Sequence, residues 1–227
     1  MFPLSDDDSR VHRTSYVNYI LIAINIAVFL YEVSLGTASS ALQNFMERWG
    51  VVPSLVANGQ NVLSLLTSMF IHGGWMHLIG NMLFLWVFGN NIEDRIGHIP
   101  YLIFYLVTGL AASAAHIFLS LGTASEMIPS VGASGAISGV LGAYIVLFGS
   151  NKVRVLVGYF LTLVPAWMMI GLWAIQQFIA TFATVADTSQ TGGGVAYAAH
   201  AGGFVAGLVL GFVLRTTRYQ APSVARR

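Results

Sequence analysis

Three polar clusters interrupt an otherwise apolar chain. His77 and Asn81 stand at i and i+4, which places them on one face of a helix, with Phe84 and Phe88 continuing that face. Gly132-Ala133-Ser134-Gly135 opens a run of small residues, and His200 lies within Ala199-His200-Ala201-Gly202-Gly203. A serine hydroxyl is a weak nucleophile and needs an adjacent base. An imidazole can take the proton during attack and return it to a leaving amine. Ser134 follows a glycine at the predicted start of a helix, where the first backbone N–H groups lack intrahelical partners and the positive end of the helix dipole lies. That N–H, with side-chain donors from His77 and Asn81, would form an oxyanion hole, worth about 3 kcal/mol per donor in a comparable serine protease.

Each cluster also has a plainer explanation. Small-residue runs pack membrane helices closely, and a lone histidine in a span can be structural or part of a proton relay. His116 is read as structural, and His72 as a hydrogen-bonding residue that holds a loop. Glu93-Asp94-Arg95 is read as a solvated cluster or structural ion pair rather than as catalytic carboxylates. His77, Asn81 and His200 are poor zinc ligands without a carboxylate or thiolate, so neither a metal nor another cofactor is expected.

The elements that must position these residues follow from composition. Of 227 residues, 56% are hydrophobic and 8% charged, with a mean hydropathy of +0.73. A soluble domain carries about 25% charged residues. The net charge of +1 gives no footprint for nucleic acid. The absence of cysteine excludes disulfides, thiol nucleophiles and thiolate metal sites. The apolar runs predict an all-α polytopic bundle of six transmembrane helices at 17–35, 76–90, 99–121, 134–150, 164–183 and 195–214. The stretch before His72-Gly73-Gly74-Trp75 reads as an embedded first external loop, and 154–163 as an interfacial segment. Every basic residue except Arg48 falls on one side of such a bundle, which puts both termini in the cytoplasm. The organisation is then a cytoplasmic segment 1–16, a membrane domain 17–214 and a basic cytoplasmic tail 215–227, with no soluble domain before or after the bundle. The first span reads as a retained helix rather than a cleaved signal.

In this topology the second, fourth and sixth spans run in the same direction, and His77, Ser134 and His200 all lie near their starts. From Ser134 to Gly149 a helix rises roughly 24 Å, against a hydrocarbon core of about 30 Å. The serine therefore sits just below the outer surface, and the loop before it dips inward beside a water-filled cavity. Gly203, Gly207 and Gly211 share the His200 face, while Gly135, Gly139 and Gly142 flank Ser134. Packing one strip on the other carries imidazole to hydroxyl. No acidic residue lies at this depth, so a Ser134–His200 dyad follows rather than a triad.

His77-x-x-x-Asn81, Gly132-x-Ser134-Gly135 and Ala199-His200-x-x-Gly203-x-x-x-Gly207 resemble the signatures of rhomboid intramembrane serine proteases, in the family's order and on matching helices. Glu93-x-Arg95 resembles a further element of that family. The resemblance covers the chain from the first span to Leu214. It implies Ser134 as nucleophile and His200 as base. It implies His77, Asn81 and the Ser134 N–H as the oxyanion site, with Gly132, Gly135, Gly203 and Gly207 as structural positions. It further implies transmembrane protein substrates cut near the outer leaflet of a bacterial inner membrane. Two features depart from the family: Ser138 stands where some members place an aromatic against the histidine, and no Trp-Arg pair precedes His72. The glycine-rich segment 187–194 is read as a lid that caps the site and moves with the fifth span, the alternative being a passive flexible connector. A catalytically dead relative that binds membrane clients lacks support while Ser134 and His200 are both present. A histidine-based transporter would not need Gly-x-Ser-Gly, and no inverted repeat is apparent.

Overall fold

Long apolar helices dominate the computed structural model, which describes residues 2–7, 11, 13–37, 39–186 and 196–216. Among them, α1 (Tyr16–Ser34), α6 (His98–Ser120), α8 (Ala166–Ala186) and α9 (Tyr197–Thr216) are long and apolar enough to cross a membrane. α7 (Ser134–Phe148) is a shorter apolar helix of 15 residues. α5 (Trp75–Ile96) has 22 residues and carries Glu93, Asp94 and Arg95 in its last turns. It extends beyond the 76–90 expected for the second span. Gly97, at φ +86°, then lets the chain reverse directly into α6.

The connection from α1 to α5 is not irregular. It contains α2 (Ser40–Trp49), α3 (Pro53–Ala57), α4 (Ser64–Thr67) and a 3₁₀ turn at Ser68–Phe70. Val51, Val52, Met69 and Ile71 are buried there. This connection grips the approach to α7: Val51 and Ser130 exchange backbone hydrogen bonds of 2.9 and 2.8 Å, and the Gly132 N–H donates to the Ser68 carbonyl at 2.9 Å.

The all-α expectation needs correction between α7 and α8. The segment read as interfacial is a hairpin of β2 (Lys152–Val157) and β3 (Phe160–Pro165), and β1 (Phe2–Ser5) pairs antiparallel with β2. The reason is local. Lys152-Val153-Arg154-Val155 alternates polar and apolar with period two, and Val153 and Val155 are fully buried.

α7 is the buried axis of the bundle, enclosed from Gly135 to Tyr144. It approaches α9 so closely that a Cβ on Gly203 would overlap the Gly135 carbonyl oxygen, and one on Gly207 that of Gly139. At the end of the bundle away from Ser134, the Glu93 carboxylate accepts the N–H groups of Val17 (3.0 Å) and Asn18 (2.7 Å) at the start of α1, and lies 2.5 Å from His98 Nδ1. Glu93 is 1% exposed, so it is a buried bracket rather than a solvated residue. Beside it, Tyr101 donates to Asn18 Oδ1 at 2.7 Å, and Asp94 accepts the Arg13 N–H at 2.8 Å.

Candidate active site

Ser134 is the first residue of α7, and the residue before it, Ala133, supplies no capping side chain to the helix start. The chain reaches it through Gly132, whose φ of +132° suits glycine. A side chain there would also meet the His77 ring at 2.8 Å, so the loop can lie against that imidazole only as glycine. His200, in the first turns of α9, places Nε2 2.8 Å from Ser134 Oγ. Its other nitrogen, Nδ1, lies 2.7 Å from Gln177 Oε1 on α8. The Trp173 ring, one turn earlier on α8, is 5.9 Å from the His200 ring, centre to centre, and tilted by 35°.

His77 and Asn81 present the α5 face to the same place. With Ser134, Ser138, Trp173 and His200 they line a cavity of about 200 Å³, completed by apolar side chains including Phe84, Ile137 and Leu141. Asn81 Nδ2 is 3.0 Å from His72 Nε2. An amide nitrogen carries two N–H bonds, so one can serve His72 while the other serves an oxygen in the cavity. The His72 ring packs 5.1 Å from that of His77, and its backbone N–H donates to both oxygens of Glu32 at 3.2 Å. Glu32, on α1, is 2% exposed. His116 instead faces Ser120 of its own helix at 3.4 Å and does not line the cavity.

A hydroxyl hydrogen-bonded to an imidazole, beside a largely apolar cavity with a few polar groups and the free N–H groups of a helix start, is equipped for acyl transfer. The rhomboid domain profile matches residues 59–217. The chain belongs to the rhomboid family. It is a multi-pass integral membrane protein. It is 30% identical over 208 residues to "Rhomboid protein 1, mitochondrial" of Saccharomyces cerevisiae, covering 90% of this chain and 55% of that protein. It is 35% identical over 135 residues to "Rhomboid protease GluP" of Bacillus subtilis, covering 59% and 25% respectively. "Rhomboid-like protease 5" of Toxoplasma gondii shares 30% over 161 residues, 69% of this chain and 17% of that protein. This rhomboid chain thus spans about half or less of the length of these relatives.

Ser138, in the position that some rhomboids give to an aromatic, turns its hydroxyl to the Ser134 carbonyl at 2.6 Å. Trp173 supplies the aromatic neighbour of His200 from α8 instead. Three residues at the site escaped the sequence analysis: Glu32, Trp173 and Gln177. The signal for two of them was present, because a carboxylate and an amide within apolar helices are costly unless used. The segment 187–194, expected as a lid, lies outside the described residues.

Proposed function

We propose that this chain is an intramembrane serine endopeptidase acting through a Ser134–His200 dyad. The observation that carries the reading is the 2.8 Å contact between Ser134 Oγ and His200 Nε2 beside a cavity that His77 and Asn81 also line. Ser134 Oγ attacks the scissile carbonyl carbon as its proton passes to Nε2. The oxygen of the tetrahedral intermediate takes hydrogen bonds from the Ser134 N–H, His77 and Asn81. His200 returns the proton to the departing amine as the C–N bond breaks, leaving an acyl-serine ester. Water, deprotonated by the same imidazole, then hydrolyses the ester and frees Ser134. No cofactor takes part. Two of the relatives are named as proteases, which supports this chemistry.

The substrates in this reading are transmembrane proteins, cut where they enter the outer leaflet. In this reading α1, α5, α6, α7, α8 and α9 serve as six spans within a membrane domain of residues 17–214, with an embedded first connection and with 1–16 and 215–227 on the cytoplasmic side. The relatives named above come from a yeast mitochondrion, a bacterium and a protozoan, and they do not support a bacterial inner membrane in particular.

The test is labelling of the purified protein with a fluorophosphonate, alongside cleavage of a transmembrane reporter in liposomes. Wild type should label and cleave. Ser134→Ala should do neither, and His200→Ala should lose cleavage, with both variants remaining folded. Appreciable turnover by Ser134→Ala would overturn the mechanism. A folded wild type that binds membrane segments but neither labels nor cleaves would make this a non-proteolytic rhomboid.

A further inference from the structure

We propose that Gln177 is the positioning residue for His200, a neutral third member behind the hydroxyl–imidazole pair. The proposal rests on the protease reading above. An imidazole that takes a proton through Nε2 must carry its own proton on Nδ1. In the interior that Nδ1–H needs an acceptor, because an unpaired buried donor is penalised. Gln177 Oε1 is the acceptor, 2.7 Å away, and the Gln177 residue is 6% exposed. The opposite orientation of the amide would turn its NH2 group toward Nδ1. The imidazole proton would then move to Nε2, where it points at Ser134 Oγ and blocks proton abstraction. The arrangement seen is thus the productive one of the two.

The surroundings explain why the partner is an amide. α8 buries Met169, Ile170 and Ala174 around the same stretch. A carboxylate there would lose its hydration, and a buried charge costs stability unless paired, so Glu at this position would keep an acceptor for Nδ1–H at the expense of stability rather than of turnover. An amide carbonyl provides the acceptor without the charge. The same helix supplies Trp173 beside the ring, so α8 fixes both the tautomer and the tilt of His200. This accounts for Ser138: with orientation supplied from α8, the position one turn after the nucleophile is free to be small, and its hydroxyl is spent on the helix backbone.

The test compares Gln177→Met, close in shape but without the acceptor, with Gln177→Glu, which keeps one. Each is assayed on a transmembrane reporter with kcat and KM resolved, and with thermal unfolding in parallel. Gln177→Met should lower kcat by about 10- to 100-fold with KM within about threefold, a smaller loss than the ~10⁴-fold seen when the charged partner of a serine-protease histidine becomes an amide. Gln177→Glu should recover at least about tenfold of that loss. Gln177→Met with kcat within about threefold of wild type would overturn the proposal, as would Gln177→Glu no better than Gln177→Met. Should Gln177→Met not fold, ¹⁵N-histidine NMR of the wild type decides. With His200 assigned against His200→Phe, a protonated Nδ1 and bare Nε2 supports the proposal, and the reverse tautomer overturns it. Turnover in Ser134→Ala would instead refute the protease reading itself, so the two failures are distinguishable.

Discussion

The two ends of the bundle carry the same kinds of polar group and put them to different use. At the Glu93 end, a carboxylate, an imidazole and an amide are consumed by structure. Glu93 takes two backbone N–H groups and His98, and Asn18 takes Tyr101 while donating to the Leu85 carbonyl at 3.0 Å. Nearby, Asp6 accepts hydrogen bonds from the Tyr144 hydroxyl and from Asn91. At the Ser134 end, a hydroxyl, imidazoles and an amide are joined mainly to one another, and they border a cavity. Chemical type does not separate the two regions. What separates them is whether the hydrogen-bonding capacity is filled by backbone or left facing space that a substrate can enter.

The strongest way to break this comparison is to part the helices that both ends share. Gly207→Val would drive a side chain into the Gly139 backbone. It should cost about 3 kcal/mol or more and abolish activity, as read by reversible unfolding in detergent and by cleavage. Asn81→Ala should strike only the Ser134 end, lowering turnover by roughly 10- to 1000-fold with a smaller change in KM. Full activity in that variant would mean that other groups hold the oxyanion. Glu93→Gln should strike only the opposite end. An amide NH2 would face one of the two N–H donors, that of Val17 or of Asn18, lowering stability by about 2 kcal/mol while kcat per folded molecule stays near wild type. If Glu93→Gln lowered kcat as far as Asn81→Ala does, the division between a structural and a chemical end would fail. Tyr159, fully exposed at the hairpin turn, belongs to neither end. Tyr159→Ser should change stability by less than about 0.5 kcal/mol and leave cleavage unaltered.

The candidate site was legible where a single helix carries its own information. The four-residue spacing of His77 and Asn81, and a serine just inside a helix start, are statements about one element each. The glycine strips extended this to a pair of helices, because a Cβ-less face admits few partners. Gln177 could not be placed in that way. Its importance depends on how α8 is rotated against α9, and no periodicity within either helix sets that rotation. For a related reason the sequence left a solvated cluster and a structural ion pair open for Glu93, and the structure decides for the second, through His98. The other partners of Glu93 are the orphan N–H groups at the start of α1, some 75 residues earlier in the chain. The β-hairpin was visible as the alternation of 152–155, but so short an apolar–polar stretch between two spans reads equally well as an interfacial segment.

The carboxylate of Glu32 has a consequence for portability. The matched rhomboid domain profile begins at residue 59, whereas Glu32 belongs to α1 and holds the backbone of His72, whose ring in turn meets Asn81. The boundary of that profile and the boundary of the hydrogen-bonded unit around His72 therefore do not coincide. Residues 59–217 grafted beneath a foreign first helix would inherit Ser134 and His200, but not the carboxylate that holds the backbone of His72.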